Sequence, residues 1–519
     1  MKRNWHLALL GISAAMAAGC GADVDTEMAW DEGEVASVQQ KEVFTCPAEI
    51  APQVSSIKFE QELLLNHTSV VNDTWTGGCR TEWGVSCDTN QKAHWHFWYL
   101  MQQLAGTSNV TKFVLRWLES IEKWSHPVNG QTLTNRPAIR NFVIKPWMNL
   151  SSNCNSDKSI DAPENVNCQL NPSVAPFRLL AIVNRTDLRV AGSPSSYGSG
   201  LAGEGRIVFG FVRPDIADRP PLQGTVIFEY TLPTLDLDKN PSGWFPSTWA
   251  TEWHKLGGAT VFGSGFNTQL QKITDQFVRA GKNPGGPNLG SAISQVRVDE
   301  RDFDDPSLKG AFKDNRQWSL REFKLDCYPG IPCGTNDKFL VPVPVAQTPA
   351  NHHNESPVLD AYMNQNAGTY GTPGTGILGE AHTVPPESSA LKFQGAESKS
   401  HPIISSNGPF IWQNQQSLAN PSTEADVRRL FALGTCNGCH YFETKTDFLH
   451  IKNRPFNVAS DLSPFLLTNP LNMTGLQMDY TDSSGNTVSF NEPRRRICEF
   501  LWLLKNKSTK LTDMSGRAH

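Results

Sequence analysis

The chain has 519 residues, enough for two or three domains and for more than one apolar core. A net charge of −5, with 39% hydrophobic and 19% charged residues and no long basic run, argues against nucleic-acid binding. The 40 glycines, 34 prolines and 15 tryptophans point to a loop-rich extracytoplasmic protein rather than a helical bundle.

The N-terminus reads as an export signal. Lys2 and Arg3 precede a short apolar run from Leu7 to Ala18, too short to span a bilayer comfortably. That run ends in Ala17-Ala18-Gly19-Cys20, which resembles the lipobox of bacterial lipoproteins. The resemblance implies cleavage after residue 19 and a diacylglycerol on Cys20, so the chain would be exported and held to a membrane by lipid alone. Gly21 after that cysteine favours the outer membrane over the periplasmic face of the inner one. Ala17 departs from the leucine more usual in that motif, and an ordinary signal peptide cut nearby is the alternative. Residues 20–45 carry Asp23, Asp25, Glu27, Asp31, Glu32 and Glu34 without apolar periodicity, which predicts an acidic tether.

Residues 46–345 form the expected body. His94-Trp95-His96-Phe97-Trp98-Tyr99 is an aromatic patch. On a strand, His94 and His96 would share a face and could bind a metal, although such patches serve more often as core packing. Apolar positions from Lys112 to Trp124 recur at helical spacing after the start signal Thr107-Ser108-Asn109. Strands are expected at Phe177–Val183, Arg206–Val212, Thr225–Leu232, Trp318–Leu325 and Phe339–Val345, with a helix over Asn267–Gly281. Clustered strands with interspersed helices predict an α+β body with a largely antiparallel sheet. Two charged stretches, Asn184–Arg189 and Gly203–Arg206, flank strands. They fit a structural ion-pair network better than a site for a small anion or polar substrate. Asp236–Asn240 begins like a calcium loop, but Pro241 and Ser247 replace the glycine and glutamate that loop needs. Asp299–Asp305 reads as a solvated acidic edge. The body carries none of the common nucleophile, zinc-protease, phosphate-loop or dinucleotide signatures, so its role is open.

Residues 346–421, rich in Gly, Pro, Ser and Asn, read as a connecting region. A helix is then predicted from Glu424 to Leu433, capped by Ser422 or Thr423 and ended by Gly434. Cys436-Asn-Gly-Cys439-His440 follows at once. C-x-x-C-H is the attachment signature of a c-type haem: both thiols reach one edge of the macrocycle as thioethers while the adjacent imidazole ligates the iron. A disulfide or a zinc knuckle using Cys436, Cys439, His440 and His450 is the alternative, disfavoured because exported thiols oxidise and adjacent Cys-His ligation is awkward for one tetrahedral ion. Towards the C-terminus, Pro493 marks a helix start, and Ile497, Phe500, Leu501 and Leu504 line one face. Arg494, Arg495, Lys505 and Lys507 are expected to leave the other face wet.

A helix into C-x-x-C-H, a methionine-bearing loop and a closing helix resemble a class I c-type cytochrome domain, here over residues 422–519. The wider combination also looks like exported bacterial lipoproteins of myxobacterial type. The resemblance implies a small all-α cytochrome c-like domain carrying one covalent haem c. Cys436 and Cys439 would be the thioether sites and His440 the proximal ligand. Met473 would be the distal ligand, with Met478 and His450 as alternatives. With Cys20 lipidated and Cys436 and Cys439 occupied, eight cysteines remain. Local disulfides Cys79–Cys87, Cys154–Cys168 and Cys327–Cys333 are the simplest account of six, which leaves Cys46–Cys498. The expected function is electron transfer to a redox partner protein, as a carrier more than a catalyst. One variant is an oxidoreductase whose body binds substrate. The alternative is a non-enzymatic surface lipoprotein that binds a partner or glycan, with Cys436 and Cys439 as a disulfide or zinc knuckle.

Overall fold

The computed structural model describes residues 46–72, 94–123, 135–189, 202–234, 243–301, 318–328, 330–343, 395–398, 449–472, 476–481, 487–505 and 511. The side chains of residues 301, 318–320, 395–398, 476–481 and 487–490 are outside that description. The signal segment, Cys20, the tether and the Cys79–Cys87 pair therefore lie outside the described residues. So do the Asp236–Asn240 run, the predicted 424–433 helix, Cys436, Cys439, His440 and Met473.

The fold is α+β, built on an eight-stranded sheet in which every described pairing is antiparallel. Seven strands lie in sequence order: β1 (Leu64–Leu65), β2 (Phe177–Arg185), β3 (Glu204–Val212), β4 (Pro221–Thr231), β5 (Ile293–Arg301), β6 (Trp318–Asp326) and β7 (Phe339–Val343). The eighth, β8 (Gly395–Ser398), pairs with the opposite end of β6 from β7, so the two share one edge of that strand. Such a meander needs only connections between neighbours. A separate hairpin joins β9 (Leu476–Thr481) to β10 (Thr487–Phe490).

Alternation explains one face directly. Phe177, Ile207, Phe209, Phe211, Val226, Phe228, Val296 and Phe323 are buried in the main apolar core. Helices Phe97–Leu104, Val110–Glu122 and Ser264–Val278 cover that core from the same side. Phe97 stacks on Phe177 with ring centroids 3.7 Å apart, and Phe277 lies 5.5 Å from Tyr230. Each aromatic ring removed from water in this way contributes about 2–3 kcal/mol. Asn109 caps the Val110–Glu122 helix by accepting from the Lys112 amide at 3.0 Å.

The His94–Tyr99 patch does not form a strand. His96 accepts from the Trp98 amide at 3.2 Å and so caps the Phe97–Leu104 helix. His94 instead pairs with Asp275 at 2.5 Å and stacks on Tyr99 at 4.6 Å. The two imidazoles are used as a cap and as an ion-pair partner. Among the described residues, no cluster of three or more His, Cys, Asp or Glu could hold a metal ion. No described helix is long and apolar enough to cross a membrane.

The C-terminal helix, Glu492–Leu504, packs into the body rather than only beside its own neighbours in sequence. Ile497, Cys498, Phe500, Leu501 and Leu503 join the main core. Cys498 is bonded to Cys46, 452 positions away, with a Cα–Cα distance of 5.5 Å. Cys154–Cys168 and Cys327–Cys333 are the other disulfides among the described residues. A cross-link closing so long a loop constrains the unfolded chain strongly. Replacing Cys46 and Cys498 together by alanine should cost about 4 kcal/mol of unfolding free energy. Guanidinium titration of the double variant checks this, and an unchanged midpoint would contradict it.

Candidate functional site

The face of the sheet opposite the helices is not uniformly apolar. Near β1 and β2 it carries Leu64, Ala181, Val183 and Val208, which form a second core with Phe465 and Leu466. Across β3 to β6 it carries Glu204, Arg206, Glu229, Arg297 and Glu322, all buried. Pleating explains the placement, because the register sets Arg206 opposite Glu229 and Arg297 opposite Glu322 on neighbouring strands. Arg206 donates to Glu204 at 2.6 Å and lies 3.3 Å from Glu229. Gln295 donates to Glu229 at 2.6 Å, and Arg297 lies 3.5 Å from Glu322. Removing one partner from such an array strands the other charge in a medium that solvates it poorly.

A second network fixes the C-terminal helix. Arg185 donates through two nitrogens to Asp187 at 2.9 and 3.0 Å. Arg495 donates to Asp187 at 2.7 Å and to Glu492 at 2.6 Å, and Arg496 donates to Glu492 at 2.6 Å. Arg189 donates to Glu499 at 2.9 Å. Arg494 and Arg495, expected on a wet face, are 7% and 6% exposed. The reason is that their partners come from elsewhere: Asp187 for Arg495, and the Pro470 carbonyl for Arg494 at 2.9 Å. The Asn184–Arg189 and Gly203–Arg206 stretches are thus both parts of buried ion-pair networks.

The acidic run beginning at Asp299 also departs from expectation. Asp299 and Glu300 belong to β5 and are 6% and 2% exposed. Glu300 faces the helix side, where it binds Arg136 and lies 3.3 Å from Arg321. Arg321 also donates to the carbonyls of Ser120 and Ile121 at 3.3 and 2.9 Å. Asp299 faces the polar side, with Thr225 hydroxyl 3.4 Å away.

These environments set opposite acid–base behaviour. Burial pushes Asp187 and Glu492 up, but the surrounding arginines more than reverse it. Asp187 ends well below the usual carboxylate range and Glu492 at about 2. Burial pushes Asp299 up to about 7, with Arg297 opposing only in part.

The segment 449–467 lies across the β2–β3 end of the sheet. Ile451 bridges Leu462, Ser463 amide donates to the His450 carbonyl at 2.9 Å, and Lys452 amide to the Asp461 carbonyl at 2.9 Å. Arg454 is 1% exposed and donates to the carbonyls of Leu179, at 2.7 Å, and Val71, at 3.3 Å. Asn453 donates to the Leu222 carbonyl at 2.9 Å. Gly210 makes this docking fit: a Cβ there would lie 2.1 Å from the Asn453 side-chain oxygen.

Of the residues expected from the sequence to ligate a haem iron, the structure describes the side chain of His450 alone. Its Nδ1 is 2.8 Å from the Ser463 hydroxyl, and its ring stacks on Phe465 at 5.1 Å. Met478 lies on β9. The Asn184–Arg189 and Gly203–Arg206 parts of these networks were read from the sequence as ion-paired, whereas their partners on β4, β5, β6 and the C-terminal helix were not. The local signal for those partners is the alternation of polar with apolar residues in Ile293–Asp299.

The linkage follows from these shifts. Asp187 and Glu492 have folded pKa values below their unfolded ones, so each contributes stability that is present above its unfolded value and lost as pH falls through its folded one, which for Glu492 is about 2. Asp299 has the opposite sign: its contribution is complete below about 3.8 and is lost as pH rises through about 7. Asp299→Asn should therefore gain on the parent protein between about pH 4 and about pH 8, read as urea midpoints. Parallel pH profiles would contradict the assignment. Asp187→Ala should cost about 3–5 kcal/mol at neutral pH, because it leaves Arg185 and Arg495 buried without their shared carboxylate. A loss under about 1 kcal/mol in the same titration would show the network to be dispensable. Compared with protein families, curated proteins and solved structures, the chain matches none.

Proposed function

We propose that this is an exported, lipid-anchored protein carrying one covalent haem c, and that it passes single electrons to a redox partner protein. The observation that carries the reading is Cys436-Asn-Gly-Cys439-His440, with two thiols and an adjacent imidazole at the spacing covalent haem attachment requires. The described cysteines support it from a second side. All six are in disulfides, which fits an oxidising compartment outside the cytoplasm. Haem attachment and stable disulfides are then satisfied in the same place.

The chain's part would be to fix the group and tune it. Cys436 and Cys439 would hold the macrocycle through two thioethers, and His440 would ligate the iron from one face. When bound, the haem would supply one-electron ferrous–ferric chemistry, with axial ligand and burial setting its potential. The motif lies in sequence between β8 and the 449–467 segment, and is followed by the Glu492–Leu504 helix. Those later elements belong to the body's packing, which would hold the haem-bearing stretch to the sheet at its C-terminal side. The cytochrome-like part would then be set into the body rather than appended to it. Cys20 would carry the lipid that keeps the whole at a membrane surface.

The test is expression of the full chain in a bacterial periplasm with haem-maturation machinery. The purified protein should show a Soret band and a haem-staining band on a denaturing gel, and Cys436→Ala/Cys439→Ala should lose both. Absence of covalent haem under conditions that mature a control cytochrome would discard the reading and favour a Cys436–Cys439 disulfide.

A further inference from the structure

We propose that Arg496, with Arg185 beside it, forms a receptor for a small oxyanion where the C-terminal helix meets the sheet. The inference goes beyond the haem reading and does not depend on it.

Three guanidiniums here share two carboxylates. Asp187 accepts from Arg185 through two nitrogens and from Arg495 at 2.7 Å. Glu492 accepts from Arg495 and from Arg496 Nε, each at 2.6 Å. Arg495 therefore joins the two carboxylates and brings Arg185 and Arg496 to one place.

The shortfall of negative charge falls on Arg496. Although burial opposes it, Asp187 raises Arg185 above its ordinary value. Arg496 goes the other way: burial and the nearby Arg185 charge pull it down to about 10, against Glu492 and Asp187. Only Nε of Arg496 is engaged, and its two Nη atoms make no hydrogen bond among the described residues. Those two nitrogens form the end-on fork of the guanidinium, an edge that matches two oxygens of a carboxylate, phosphate or sulfate. Arg185 Nη1 is likewise without a hydrogen-bond partner among the described residues. The two ends are not sealed, with Arg496 6% and Arg185 2% exposed.

The local sequence points the same way. Arg494, Arg495 and Arg496 follow Glu492 and Pro493 at the start of the C-terminal helix. The macrodipole is positive at that end, where acidic side chains are the stabilising choice. Three arginines go against that preference, and Glu492 is the acidic residue of the first turn. Thr186 adds a neutral donor on the facing element. Its hydroxyl has no hydrogen-bond partner and the residue is 1% exposed. Its turn, Thr186–Leu188, packs against the helix. A water molecule would satisfy such donors but not the charge, whereas an oxyanion does both.

The experiment uses the full chain, secreted with its disulfides formed. Thermal unfolding is followed against low millimolar phosphate, sulfate and acetate, with chloride holding the ionic strength constant. At least one oxyanion should raise the midpoint saturably, by about 2 °C, while chloride in its place has no effect. Arg496→Gln should abolish the rise. Arg496→Lys keeps a charge for Glu492 but loses the fork, and should weaken binding about tenfold. Arg213→Gln, which breaks the Arg213–Asp215 pair at the β3–β4 turn, should respond as the parent does. In crystals of the parent protein, selenate located by its anomalous signal should sit within hydrogen-bond reach of Arg496. That measurement needs no variant and decides the matter if Arg496→Gln fails to fold. Acetate matching phosphate would assign the site to the carboxylate of an organic ligand, and phosphate or sulfate alone to a tetrahedral oxyanion. No saturable rise in the parent, a rise that survives Arg496→Gln, or selenate bound only elsewhere would overturn the proposal. None of these outcomes bears on the haem, which its Soret band reads separately.

Discussion

Asp187 is the residue on which the arrangement turns. It sits just past the end of β2 and accepts from Arg185 of that strand and from Arg495 of the C-terminal helix. One carboxylate thus joins the middle of the chain to its end. The interaction is part of a wider set: Glu492 is shared by Arg495 and Arg496, and Glu499 takes Arg189. A single buried pair often fails to recover its desolvation, whereas carboxylates shared among several arginines hold their partners in one geometry. The Cys46–Cys498 disulfide and the Phe500 ring lie on the same helix and seal the junction with covalent and apolar contacts.

This junction changes where a haem-bearing segment would belong. A closing helix that packs only on its own cofactor domain would make residues 422–519 a separable unit. The observed helix is shared with the body, and the 449–467 segment is anchored to β2 and β4 carbonyls through Arg454 and Asn453. Electron transfer, on the proposed reading, would occur in a segment bounded on its C-terminal side by rigid structure.

Much of the sheet was legible because one of its faces obeys simple alternation. Phe177 to Val183 and Arg206 to Val212 are rich in β-branched and aromatic residues, and their neighbours in the meander are their neighbours in sequence. β5 was not legible, because its apolar residues alternate with Gln295, Arg297 and Asp299 and its end runs into the acidic stretch read as a solvated edge. Their burial depends on Glu229, Glu322, Thr225 and Arg136 on other elements, and no window around residue 297 contains that information. Arg494 and Arg495 misled for the same reason. His94 and His96 were ambiguous because six aromatic residues in a row carry no period; the cap that His96 makes decides for a helix. The Cys436–His440 motif is the reverse case: the haem attachment proposed for it is read from five residues, because covalent attachment needs only local chemistry. The contact between His450 and Ser463 needed the fold, since the pair lies 13 positions apart.

The central claim is that the C-terminal helix and the sheet form one cooperative unit. Native-state hydrogen exchange resolved by peptide measures this most directly. The amides of residues 495–503 should exchange with the same opening free energy as those of β3 and β4, and respond to denaturant with the same slope. Exchange of the helix several kcal/mol below the sheet, with a shallow denaturant dependence, would show that it opens alone and would contradict the account.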